Sequence, residues 1–412
     1  MANKKYVIQA LVFLAVISTA GVIIWKTTAG TWKTDPIATS RITITTSAIQ
    51  HYDYQKDITF NTTATGAAVS TNQGGGTITT GFPVAVHINS SSFPTAADRT
   101  HFFNDTYNPA GKRVQFFDSD ETTVLNYEVE YYSTANQEAL YWVSVPTVTG
   151  NSSTDKIVVA YGNDPNSSDQ DNKTGVWDSN FKGVWHLGEA STPAYDSTIN
   201  ANNGTWSGNT QTTGQVNSGA NFNNDDEITF SAKIIPLGAK TVSLWVKTAS
   251  DADGVIDESG TASTNHGSSF YITGGKLYFI NSKATDGQCR FSLPPNTVIN
   301  NNVQRHCAYT WDGTTNANMV KAYTDGSADG TGTALTTESI AASHNLKFGN
   351  LGAPYATGYY YTGIIDEIRF SNTNRSAGWI KLEYYSMAKT NFNGDNGVSS
   401  PFINFGSQEA TR

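Results

Sequence analysis

The sequence is poor in cysteine (two residues), methionine (three) and charge (15% of 412 residues). Two cysteines allow one bridge at most, which excludes a disulfide-stapled miniprotein. Low charge combined with 38% hydrophobic residues excludes a coiled coil and a disordered polyampholyte. Basic groups are the scarcer sign, 26 against 35 acidic ones, for a formal charge of -9. Residues 1–50 hold five of those basic groups (Lys4, Lys5, Lys26, Lys33, Arg41) against Asp35 alone, so the rest carries -13. No basic stripe offsets this balance, and nucleic acid is excluded as a partner. Beyond Trp25 no apolar stretch is long enough to span a bilayer, which excludes a multi-span membrane protein.

Catalytic spacings are also missing. The seven histidines (His51, His87, His101, His186, His266, His306, His344) are single, without HxH or HExxH spacing. The serines lack a GxSxG elbow, and no glycine-rich loop joins a strand to a helix.

What is present begins with a run from Tyr6 to Trp25, whose 20 residues would span about 30 Å as a helix. Tyr6 and Trp25 suit membrane interfaces and favour an anchor, whereas Ser18-Thr19-Ala20 and Thr27-Thr28-Ala29 resemble cleavage sites. Either reading exports the chain. A pilin-like helix packed in a filament is a third. Residues 31–50 form a strand-prone linker in which RITITTSAI alternates apolar and polar positions.

From 51 to 179, short strand patterns (DITF, FPVAVHI, RVQFF, NYEVEYY, ALYWVSV, KIVVAY) are separated by Gly, Asn, Asp and Ser turns. This pattern predicts an antiparallel β-sandwich. From 180 to 412 a second β-rich set follows, and RSAGWIKLEYYSM is its one expected helix. The fold class expected is all-β: two sandwich domains after an N-terminal hydrophobic helix.

The order YQKDITF, FPVAVHI, RVQFFDSDETTVLNYEVEYY, ALYWVSVP, IVVAYGN and FKGVWHLGE resembles a bacterial and archaeal surface β-sandwich module of unknown function. The strings AYDSTINANNGT, GANFNNDDEI, TVSLWVK, CAYTWDG and GIIDEIRFSNTNRSAGWIKLEYYSM resemble the laminin-G-like, concanavalin-A-type jelly roll commonly fused to it. The pairing implies a secreted or cell-surface protein, associated with adhesion or surface appendages, with no established catalytic activity.

Such jelly rolls often hold Ca2+ with loop carboxylates and carbonyls, and the resemblance puts Asp196 and Asp366 on the two segments concerned, with Glu189 and Asn203 completing the shell. The competing reading has Asp196 capping a turn and Asp366 or Glu367 paired with Arg369 or Lys381. His186, in the recurrent string GVWHLGE, is expected to pack at a strand end beside Trp185. Glu128 and Glu130 share a strand face and are expected to form a solvent-facing polar row; the ExDxxE strand of concanavalin-type glucanases is missing. Tyr359, Tyr360 and Tyr361 offer aromatic planes for a glycan, alternation turning one or two of them outward. Cys289 and Cys307 sit in strands expected to be neighbours and close a disulfide.

These residues predict a non-enzymatic extracellular or cell-surface protein for adhesion, glycan binding or building a surface structure. The alternatives are a self-polymerising filament subunit, associating through residues 1–50, and a carbohydrate-active enzyme. An uncleaved N-terminal segment would add the membrane as a partner.

Overall fold

Period-two alternation and punctuating turns give the chain its sheets. The computed structural model describes residues 52–411 apart from 71–76, 80, 91, 104–107, 163–167, 259–266, 283–288, 294, 335–344, 352–358 and 389–401. The expected N-terminal helix and the RITITTSAI strand lie outside the described residues. No helix of the described residues is long and apolar enough to cross a membrane.

The first sandwich sets a five-stranded antiparallel sheet, ordered Ile403–Ala410, Tyr54–Phe60, Lys156–Tyr161, Gln115–Asp118, Val124–Leu125, against a three-stranded sheet ordered Phe82–Ile88, Glu138–Val145, Tyr127–Ser133. All six strand patterns expected here are strands. Ile58 and Phe60 on one strand, Val84 and Val86 on another, and Tyr141 and Val143 on a third are buried in a shared core. The last strand corrects the expected boundary. Residues Ile403–Ala410 do not stay with the second domain but pair antiparallel with Tyr54–Phe60, so the chain closes on its first sheet. A helix over Ala96–Phe102 was not expected; its signal is Thr95, whose side chain accepts the Asp98 N–H as an N-cap.

The second sandwich packs an eight-stranded sheet against a seven-stranded one. Gly363–Ser371 and Lys240–Lys247 lie side by side in the larger sheet. Its hairpins turn where sequence demands it: Asp325 and Gly326 both take positive φ between Val320–Thr324 and Ser327–Gly332. The core of this sandwich gathers Trp185, Leu244, Phe270, Tyr309, Trp311, Phe348 and Phe370.

The expected second-domain helix forms over Ala377–Ala388, with Ser376 Oγ accepting the Trp379 N–H at its start. Its buried face meets its own sandwich, where Ser243 donates to Glu383 and Trp245 to the Met387 sulfur, and also the first. Trp379 packs edge-on against Phe82 at 4.9 Å, and Ser386 Oγ accepts the Ala85 N–H at 2.7 Å. Both sandwiches belong to one compact unit, Ile49–Arg412, and Trp245, Trp379, Leu382 and Met387 extend the apolar core of the first.

Candidate functional site

Between the two sandwiches the apolar core is interrupted by charge. A buried ion is tolerated only where partners and hydrogen bonds replace water, so the geometry of this cluster states what its residues are for.

Two strand irregularities aim its carboxylates. Tyr127–Ser133 shifts register against Glu138–Val145 between Val129 and Tyr131, which leaves Glu130 as the extra residue of a bulge. Gly363–Ser371 shifts against Lys240–Lys247 between the Asp366 and Arg369 pairings, and Glu367 within that shift has a φ of 53°. A glutamate held in the left-handed region costs about 1–3 kcal/mol unless its surroundings fix it. Here a buried ion pair fixes it: Glu367 Oε2 accepts from Arg369 at 2.6 Å, and Glu367 Oε1 lies 2.7 Å from His186 Nδ1.

His186 is the hub. Nδ1 also lies 3.4 Å from Glu130 Oε2, and Nε2 lies 3.4 Å from Glu128 Oε2. The imidazole stacks on Trp142 with ring centroids 5.6 Å apart. Trp142 Nε1 donates to Glu130 Oε2, Trp177 Nε1 donates to Glu128 Oε2 at 3.1 Å, and Ser197 donates to Glu128 Oε1 at 2.7 Å. Arg369 continues the network to Glu383, 3.4 Å away, and Ser243 also donates to that carboxylate.

Burial and charge pull the titrations apart. Burial pushes the Glu130 carboxyl well above the usual range, and the pull of His186 only partly offsets it. Burial alone would lower His186, but Glu367, Glu130 and Glu128 outweigh it and hold the imidazole well above its ordinary value. Burial also opposes ionisation of Glu367, and there His186 and Arg369 win and lower it. Asp366 is raised by burial and by Glu367, against the backbone N–H groups of Val216 and Gln215. The cluster therefore brings one imidazole and one guanidinium together with the carboxyl groups of Glu128, Glu130, Glu367 and Glu383.

Two expectations are corrected here. Glu128 and Glu130 are not a solvent-facing row: their side chains are 8% and 4% exposed and face His186 across the joint. His186 is buried as expected, but its partners are charges and the rings of Trp142 and Trp177. The string GVWHLGE was the one signal available, since the partners lie 58 and 181 residues away in sequence.

The residues expected at the calcium site are engaged by protein donors. Asp196 accepts from the N–H groups of Val184, Thr198 and Asn202 and from the Thr198 hydroxyl, at 2.9–3.0 Å, which is a turn-organising carboxylate. Asn203 Oδ1 accepts the Asp196 N–H and Glu189 Oε1 the Tyr195 N–H, both at 2.9 Å. Asp366 Oδ2 accepts from Gln215 and Val216 at 2.7 and 2.9 Å. Glu367 pairs with Arg369, whereas Lys381 donates to the Ala68 carbonyl at 2.8 Å. Among the described residues, the acid and imidazole groups whose ligand atoms converge within 4.8 Å are Glu130, His186 and Glu367.

The tyrosines do not follow strand alternation, which would put positions 359 and 361 on one face: the segment forms only an isolated bridge at Tyr360, Tyr359 is 40% exposed, and Tyr361 is buried with its hydroxyl donating to the carbonyls of Lys247 and Ile364. Tyr361 is thus a core residue and no ligand platform. Cys289 and Cys307 lie on strands of different sheets, Cys289–Leu293 at the end of the seven-stranded one and Arg305–Trp311 within the eight-stranded one, so the expected adjacency fails. Cys307 is a buried free thiol.

Residues 222–381 match the family described as the Concanavalin A-like lectin/glucanases superfamily, of the laminin G kind. Residues 110–207 match a Domain of unknown function (DUF2341). No curated protein matches the chain. Among solved structures, the binding domain of Paraclostridial Mosquitocidal Protein 1 is 13% identical with a TM-score of 0.42, covering 51% of this chain and 53% of that one. Domain 4 of AbnA, a GH43 extracellular arabinanase from Geobacillus stearothermophilus solved with arabinotriose, is 17% identical with a TM-score of 0.39, covering 49% and 97%. The botulinum neurotoxin serotype D binding domain is 13% identical with a TM-score of 0.38, covering 50% and 51%. The chain thus spans about half the length of the first of these structures. It carries a DUF2341 domain followed by a concanavalin A-like domain of the laminin G kind.

Proposed function

We propose that the protein is a non-enzymatic, exported cell-surface binding module that holds a glycan at one rim of its second sandwich and serves adhesion there. The observation that carries this reading is a cavity of about 410 Å³ in which Lys182, Lys233, Asn200 and Asn202 stand around an apolar ledge ending at Leu237. Leu237 is 48% exposed. Amide and ammonium groups beside a small apolar wall suit the hydroxyl-rich edge and hydrophobic face of a sugar. The carboxylate that lines this cavity, Glu258, is 3% exposed, and its Oε2 accepts the N–H groups of Ile234 and Ile235 at 2.6 and 2.8 Å. Glycoside hydrolysis needs two carboxyl groups flanking the bond, and this groove presents one that is already engaged. The match of residues 222–381 to a lectin and glucanase superfamily supports a sugar as the ligand class.

The test is a glycan array probed with the full chain, alongside Lys233→Ala and Leu237→Ser. Both side chains are exposed, so the variants should fold normally. The expected result is retention on a subset of glycans, weakened at least about tenfold, or roughly 1.4 kcal/mol, by either substitution. Retention unaffected by both variants would remove the groove from the reading, and release of reducing ends from a retained glycan would replace it with an enzyme.

A further inference from the structure

We propose that Glu130, His186 and Glu367 form a binding site for one divalent transition ion of the zinc class, which locks the two sandwiches together. The inference is independent of the glycan reading. Three features of the cluster carry it. The ligand atoms lie within 4.8 Å of one another, and the side chains are 4%, 10% and 0% exposed. The Glu130 carboxylate offers Oε2 to His186 Nδ1 at 3.4 Å and to Trp142, while its other oxygen, Oε1, is buried without a hydrogen-bond partner. A buried unpartnered carboxylate oxygen is costly and calls for a ligand.

The third feature is the shell around the set. Arg369 takes Glu367 Oε2 at 2.6 Å and leaves Oε1 facing His186 Nδ1. His186 Nε2 faces Glu128 Oε2 at 3.4 Å, and Glu128 is itself held by Ser197 and Trp177. A metal-bound imidazole is commonly oriented by a carboxylate on its second nitrogen, and a ligating carboxylate by its own hydrogen-bond donors. One nitrogen and two carboxylates suit zinc and its neighbours; calcium requires six to eight oxygens. The ion would bridge Glu130 of the first sandwich to His186 and Glu367 of the second. Because the site is buried, loading belongs to refolding, before the joint closes.

The experiment refolds the full chain with Co2+ and with Zn2+, then removes free ion. The expected result is one ion per chain, a visible Co2+ band and a raised melting midpoint; Glu130→Gln loses all three and Glu189→Gln, a nearby carboxylate outside the ligand set, keeps them. X-ray absorption of the zinc-loaded wild type should show one imidazole among nitrogen and oxygen scatterers. That measurement stands even if Glu130→Gln does not fold. Wild type that retains no ion, retention unchanged in Glu130→Gln, loss in Glu189→Gln, or a sulfur shell from Cys307 would each overturn the proposal.

Discussion

The guanidinium carbon of Arg369 lies 4.4 Å from the ring centroid of Trp142 and 5.1 Å from that of Trp177, so a cation on the second sandwich is roofed by indoles that precede it in the chain. Its nitrogens meet Glu367 and Glu383. The arrangement makes the joint between the sandwiches a single electrostatic object, since removing the cation leaves two carboxylates in the same low-dielectric space. Arg369→Ala should therefore destabilise the protein by about 3–5 kcal/mol, the cost of orphaning buried charge. Urea denaturation at neutral pH measures it, and a loss of under about 1 kcal/mol, typical of surface positions, would show that water already reaches the cluster.

Glu383 gives the acid limb of stability. Burial opposes its ionisation, but His306, Arg369 and Ser243 outweigh burial and bring the carboxyl down to about 2. A carboxyl whose folded pKa is depressed contributes stability that is complete above its unfolded value, about 4.3, and is lost as pH falls through the folded one. Wild type should lose on the order of 3 kcal/mol from this group between about pH 5 and 2. Glu383→Gln should be weaker at neutral pH yet lose correspondingly less on acidification. Denaturant midpoints across that interval give the comparison, and parallel curves for the two proteins would remove Glu383 as the source.

Most strands were readable because each is decided by its own neighbours: FPVAVHI and KIVVAY carry β-branched runs, and Asp325-Gly326 turns its hairpin through positive φ. The charged joint was not readable for the opposite reason. Glu367 takes a backbone region that its residue type disfavours, and only contacts with His186 and Arg369 hold it there. Glu128 looked like a surface residue because alternation gives a face but does not say what covers it. The last strand, INFGSQEA, has weak propensity and a glycine within it, and its partner begins at Tyr54, so no local pattern announced the pairing.

That pairing makes the C-terminal strand a stabilising element of the first domain. Phe402 is buried and packs on Phe60 with ring centroids 5.6 Å apart, and Tyr161 donates to Gln408 at 2.7 Å. Phe402→Ala should cost about 3–5 kcal/mol through the cavity it leaves. Deleting residues 402–412 should do more, because it bares the edge of Tyr54–Phe60 and invites pairing between copies. Sedimentation of the truncated chain should show association that the full chain lacks at the same concentration. A monomeric truncation with an unchanged melting midpoint would mean that the strand does not cover that edge in solution.

The tyrosines supply a test in which neighbouring side chains of one type must behave differently. Tyr361 is fully buried, and its hydroxyl donates to two backbone carbonyls, of Lys247 at 3.0 Å and of Ile364 at 3.1 Å. Burial pushes the phenol well above its ordinary pKa. Tyr361→Phe keeps the ring packing and leaves those carbonyls without that donor, which should cost about 1–2 kcal/mol. Tyr359 has 40% of its surface exposed, and Tyr359→Ala should change stability by no more than about 0.5 kcal/mol. If the exposed ring also belongs to the glycan surface, Tyr359→Ala lowers retention on the array with no change in melting, whereas Tyr361→Phe lowers melting with no change in retention. The reverse pattern would exchange their roles and place the ligand face on the inner side of the 359–361 segment.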